Sequence, residues 1–158
     1  MTKSGKTEKP NVLFCLADDM GWGEPGTYPC TSENGRIRTP NLDQRFGAEG
    51  MQFRESYAGY TVCAPSRTTL FTGRNSGHFA QKMPQDWPVL PKLLQAGGYE
   101  TAVFGKSAPF DHKTGGKAGT LNWGLPTDFG FETFSGQPDQ ALCHNMYPAT
   151  INDGATVV

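Results

Sequence analysis

Residues 87 to 106, Trp87-Pro-Val-Leu-Pro-Lys-Leu-Leu-Gln-Ala-Gly-Gly-Tyr-Glu-Thr-Ala-Val-Phe-Gly-Lys106, read as a helix handing over to a strand. Leu90, Leu93 and Leu94 fall on one helical face and Gly97-Gly98 stops the helix; Thr101-Ala-Val-Phe104 is then an apolar run of strand length ending at Gly105-Lys106. Continuous apolar sequence suits a strand buried on both faces of a parallel sheet, and parallel strands need a crossover such as a helix between them. This stretch therefore predicts an α/β fold.

Toward the N-terminus the same pattern recurs. Asn11-Val-Leu-Phe-Cys-Leu-Ala17 is a second apolar run, ending abruptly at Asp18-Asp19, and reads as another buried strand, with Cys15 in the core. Gly21 to Arg38, holding Trp22, Gly23, Pro25, Gly26 and Pro29, reads as a long surface loop. Thr39-Pro40 supplies an N-cap and a first-turn proline for a short amphipathic helix with Leu42 and Phe46 four apart before Gly50. Met51 to Tyr57 alternates and predicts a further strand, and Pro65 to Thr72 a short helix stopping at Gly73, which sets Cys63 just before a helix N-terminus. The expected architecture is α/β, a parallel-type sheet of three strands flanked by helices. Beyond Lys106 the chain is rich in Gly, Pro, Asp and Asn without clear period; it reads as irregular, with weak apolar points at Phe129, Phe131 and Phe134 and no closing element.

Composition narrows the classes. With 158 residues the chain is expected to form one domain, and 20 Gly and 12 Pro make it loop-rich. A net charge of -1 leaves no electrostatic footprint for nucleic acid or an anionic membrane. No run approaches the roughly 18 apolar residues of a membrane span. The polar, Lys-rich first ten residues lack the pattern of a secretory signal, and no compartment is assigned. Cys15, Cys30, Cys63 and Cys143 are irregularly spaced without a CxxC pair, so neither a zinc ribbon nor a disulfide framework is indicated.

In open α/β sheets ligands bind outside the carboxyl ends of the strands, and here those ends carry Asp18-Asp19, the segment before Cys63, and Lys106. Adjacent carboxylates are hard oxygen ligands for Ca²⁺ or Mg²⁺, a cysteine before a helix N-terminus is a candidate nucleophile, and Arg67 with Lys106 can clamp an oxyanion. Each also has an ordinary reading: Asp18-Asp19 as a turn, Cys63 as a small buried hydrophobe, Arg67 and Lys106 as solvated charges. Only the combination favours an anionic-ester site. Cys30 and Cys143 fall in loops and give no signal, and His78, His112 and His144 have no metal-ligand spacing.

Cys63-Ala-Pro-Ser-Arg-Thr-Thr-Leu-Phe-Thr-Gly-Arg74 resembles the signature of the type I sulfatase family, within the alkaline-phosphatase-like superfamily. The similarity extends through Lys9-Pro-Asn-Val-Leu-Phe14, Ala17-Asp-Asp-Met-Gly-Trp-Gly23, Thr39-Pro-Asn-Leu-Asp43, Gly97 to Lys106 and Phe129-Gly-Phe-Glu-Thr-Phe134, in the family's order and over nearly the whole chain. The resemblance implies a sulfuric ester hydrolase. In that family the motif cysteine, here Cys63, is oxidised to formylglycine by a converting enzyme that reads Pro65-Ser66-Arg67, and a hydroxyl of the hydrated aldehyde attacks the sulfur. The resemblance further implies that Asp18, Asp19 and the modified Cys63 hold Ca²⁺, that Arg67 supports the aldehyde hydrate, and that Lys106 faces the sulfate. A cation and positive side chains suit the chemistry, because the sulfate oxygens carry charge that must be neutralised during attack.

Two departures qualify this. The family's K-W-H-L-G stretch is Lys106-Ser-Ala-Pro-Phe110 here, with Ala108 in place of the histidine, as in some subgroups; those subgroups also share the pattern across Asp128 to Pro148, which gives His144 a substrate-binding role. Family members are also several times longer, and their second metal-binding Asp-Asn pair lies beyond Val158. Residues 1–9 are thus expected to be a polar leader and 10–158 the N-terminal portion of a truncated catalytic domain, inactive alone and, with an unpaired sheet edge, aggregation-prone. The alternatives are a phosphate or phosphonate ester hydrolase of the same superfamily, and a non-catalytic fragment that binds sulfated ligands. The implied partners are a small-molecule or carbohydrate sulfate ester and the formylglycine-generating enzyme.

Overall fold

The computed structural model describes residues 9–28, 37–75, 87–107, 124–138 and 142–158. The chain divides into two compact units, Met1–Arg54 and Glu55–Val158.

In the first unit the helix expected after Thr39-Pro40 forms as α1 (Pro40–Leu42), which continues as a π-helical turn over Asp43–Ala48. Thr39 precedes it as N-cap, but its hydroxyl does not bond a helix N–H. Instead Thr39 Oγ1 accepts from the Gly26 N–H at 2.8 Å and donates to Asp43 Oδ1 at 2.8 Å, stitching the loop to the helix. Gly26 approaches so closely that a Cβ there would run into the Asp43 carboxylate.

The strand expected over residues 11–17 is absent: the segment forms no ladder, Leu13 is 90% exposed, and Cys15 is exposed rather than in the core. Residues 51–57 likewise contain a turn instead of a strand, with Met51, Phe53 and Tyr57 exposed. The reason is the same in both places. An apolar run states what a segment gains by burial, whereas a strand also requires a neighbour to complete its backbone hydrogen bonds.

The second unit holds α2 (Cys63–Thr72), α3 (Leu90–Ala96) and a four-stranded sheet of β1 (Ala102–Lys106), β2 (Thr133–Gln137), β3 (Asn152–Asp153) and β4 (Thr156–Val157), in the order β1-β2-β3-β4. Only β1 and β2 are parallel; β2–β3 and β3–β4 are antiparallel, so the sheet is mixed rather than parallel throughout. The fold class is α/β, as expected.

The region read as irregular contributes most to this sheet. Phe129 and Phe134 are each 1% exposed, and Phe129 packs with Val89 in a small core to which Phe71, Trp87 and Phe131 add their sides. Phe71 meets Phe131 edge-on, ring centroids 5.7 Å apart, joining α2 to the turn before β2. Positive charges lid the cluster: Arg74 lies 4.5 Å from the Trp87 ring centroid and Lys92 Nζ 5.7 Å from that of Phe129. At α3 the fully buried positions are its N-cap Val89 and Pro91, whereas of the expected face Leu90 and Leu93 are exposed and Leu94 is half-buried.

Thr101 sets the register of β2 on β1. Its carbonyl accepts from the N–H groups of Glu132 and Thr133, and its hydroxyl donates to the Gly130 carbonyl at 2.6 Å. Four residues along, Gly105 stands opposite Gly136, where a Cβ on Gly136 would collide with the Gly105 backbone. A glycine that reads as a strand breaker in sequence is therefore what permits this strand pair to close.

Candidate active site

Helix α2 begins at Cys63, two residues earlier than the sequence suggests. Val62, in extended conformation, is the N-cap, and the Ser66 N–H bonds the Val62 carbonyl at 3.0 Å. Pro65 falls in the first turn, where its missing N–H costs no helical bond. Cys63 is thus the first helical residue, half-buried, at the positive end of the helix. The rest of the helix is rich in threonine, a modest helix former. Thr68, Thr69 and Thr72 donate their hydroxyls back to the carbonyls of Ala64, Pro65 and Thr68, and Gly73 at φ 66° closes the C-terminus with its N–H on Thr69.

Arg67 lies one turn after Cys63 and is buried, 8% exposed. Its Nη1 donates to the main-chain carbonyl of Lys106 at 2.8 Å, fastening α2 to the carboxyl end of β1. A buried guanidinium held in this way is a built feature and not a solvated surface charge. Lys106 itself is half-buried and pairs in register with Gln137, the last residue of β2. Three residues chosen from sequence, Cys63, Arg67 and Lys106, therefore belong to one unit; Arg67 shares a helix with the first and a hydrogen bond with the last.

His144 ends a 3₁₀ turn, Leu142–His144, and is exposed. Its neighbour Cys143, which gave no signal in sequence, brings the Sγ within 3.1 Å of the Gln137 carbonyl. The same carbonyl receives the N–H and the hydroxyl of Ser107, each at 3.4 Å. Ser107, 1% exposed, and Gln137 are the residues sequence reasoning missed. They are small or neutral, and only their place at adjoining strand ends gives them weight.

Asp18 and Asp19 lie in the first unit, both exposed. Asp19 is the one non-glycine residue with positive φ among the described residues, at 59°. Aspartate tolerates that conformation, which turns the chain just after the apolar run. Two adjacent carboxylates fit a hard cation in donor type but not in number: Ca²⁺ takes about six to eight oxygens. Among the described residues no group of three His, Cys, Asp or Glu side chains is arranged to hold a metal ion. His78, His112, Cys30 and Ala108 lie outside the described residues.

The family model described as Sulfatase matches residues 10–155. The chain is 38% identical over 121 residues to N-acetylgalactosamine-6-sulfatase of Sus scrofa, covering 65% of this chain and 22% of that protein. It is 36% identical over 162 residues to arylsulfatase A of Bos taurus, covering 92% of this chain and 30% of that protein. It is 39% identical over 115 residues to arylsulfatase G of Homo sapiens, covering 65% of this chain and 21% of that protein. The chain thus spans between 21% and 30% of the length of these relatives.

Proposed function

Because the chain belongs to the sulfatase family, we propose that it forms the nucleophile-bearing portion of a formylglycine-dependent sulfuric ester hydrolase, with residues 10–158 as the N-terminal part of the catalytic domain. The observation that carries this reading is the buried Arg67, tied at 2.8 Å to Lys106 from the helix that Cys63 begins. It supports a site in which the nucleophile position and two positive side chains share one rigid frame.

Each residue then has a role its chemistry permits. Cys63, oxidised to formylglycine by the converting enzyme, provides the nucleophilic hydroxyl from the positive end of α2, where developing negative charge is stabilised. Lys106 brings an ammonium to the carboxyl end of β1 to neutralise the sulfate. Arg67 supports the hydrated aldehyde while one of its N–H groups holds the Lys106 carbonyl. Asp18 and Asp19 would supply part of the shell of a Ca²⁺ ion, and when bound such an ion adds positive charge against the sulfate oxygens. Further oxygens are required, and hydrolysis by the 158-residue chain alone is proposed to be absent or very low. His144 contacts the alcohol half of the ester. The relatives named above include a sulfatase of N-acetylgalactosamine and two arylsulfatases, and a sulfated sugar is the substrate class we propose.

Intact mass of the native product and of its Cys63 peptide, followed by hydrolysis of matched sulfate, phosphate and phosphonate esters, tests the reading. Conversion of Cys63 with preference for the sulfate ester supports it. An unmodified Cys63 in an active preparation, or preference for a phosphate or phosphonate ester, refutes it.

A further inference from the structure

The carbonyl oxygen of Gln137 is a shared acceptor. It receives the N–H and hydroxyl of Ser107, the residue after Lys106, and the thiol of Cys143, the residue before His144. Gln137 is itself held twice, by its register pairing with Lys106 and by its side-chain amide, which donates to the Thr150 carbonyl at 3.2 Å. The acceptor is therefore fixed by the sheet, while the turn that bears His144 is only three residues long and closes with an Asn145 N–H to Leu142 carbonyl bond at 2.9 Å. A short exposed turn of this kind needs a tie to ordered structure to hold a side chain in one place.

We propose that Cys143 is a positioning residue for His144, acting through the Gln137 carbonyl to fix the histidine turn in the same frame as Lys106. The proposal deepens, and rests on, the substrate-binding role proposed above for His144. A thiol is a weak donor, but a half-buried one at 3.1 Å from a fixed carbonyl supplies direction at little cost, and its reach is what sets the turn's distance from the strand end. The chemical requirement is a donor at this position: serine retains it, valine fills the space without it.

The experiment uses the full chain, freshly prepared at low micromolar concentration and labelled in its histidine rings, with the His144 signal assigned from H144A. The native protein and C143S are expected to give one sharp His144 ring signal at a common position. C143V should shift or broaden that signal while the amide signals of β1 and β2 stay in place. An unmoved His144 signal in a folded C143V overturns the proposal. A second measurement on the native chain guards against a C143V that does not fold: Cys143 should alkylate about tenfold more slowly than exposed Cys15, and equal rates overturn the proposal. In hydrolytically active full-length protein, C143V should raise KM about fivefold with kcat unchanged, and should add nothing in an H144A background. Additive effects overturn the coupling. Absence of hydrolysis in native full-length protein carrying the converted Cys63 counts against the sulfatase reading, and the ring signal still decides the positioning claim.

Discussion

Arg67 donates a hydrogen bond to the carbonyl of Lys106, a residue 39 positions later in the chain, and this 2.8 Å contact joins the helix that starts at Cys63 to the end of β1. The bond matters because the guanidinium is withdrawn from water and its partner residue is half-buried. A charged donor on a half-buried carbonyl is worth more than a neutral pair, and its loss leaves that carbonyl without this partner.

Arg67→Ala is therefore expected to destabilise the protein by about 1.5–3 kcal/mol, read as a lower urea midpoint with an unchanged slope. Arg67→Lys should recover only part of that, since a lysine lacks the planar fork. An Ala variant within about 0.5 kcal/mol of the native protein would mean that the contact contributes nothing beyond ordinary surface interactions.

Cys63→Ala separates chemistry from folding. The residue is half-buried at a helix start, and removing its sulfur should shift stability by less than about 1 kcal/mol. In full-length protein the same change should abolish sulfate-ester hydrolysis and aldehyde labelling together. Retained hydrolysis in Cys63→Ala would exclude this residue as the nucleophile's source.

Gly136→Ala tests the close approach of the two parallel strands. With φ at 153° and the Gly105 backbone in the path of any Cβ, the substitution should cost about 1–3 kcal/mol and lower the melting temperature. Gly154→Ala is the control, since nothing lies within 4 Å of its Cβ position and any loss there reflects its φ of 58° alone. A larger loss at Gly154 than at Gly136 would contradict the packing explanation.

Leu13→Asp addresses association. Val12, Leu13 and Phe14 are consecutive, apolar and exposed, which is the composition that pairs with other chains. The isolated chain should aggregate with time at tens of micromolar, as followed by light scattering, and Leu13→Asp should slow this about tenfold. Identical scattering curves would assign the association to another surface.

By itself the sequence determined the α/β class, the helix of α3 followed by β1, the family, and the residue types of the proposed site, because helix stops, apolar runs and a contiguous signature are all local. Cys63, Arg67 and Lys106 were legible for that reason. Tertiary structure decided which apolar runs became strands. Residues 11–17 and 133–137 illustrate it: the more apolar segment forms no ladder, while Thr133–Gln137, with a glycine and few apolar residues, pairs along its length with β1. Strand formation depends on a partner's backbone, which no local window contains. The same holds at the site. Ser107, Gln137 and Cys143 carry no signature of their own, and their significance arises only when parallel pairing sets Gln137 beside Lys106 and turns one carbonyl into the acceptor for both neighbours.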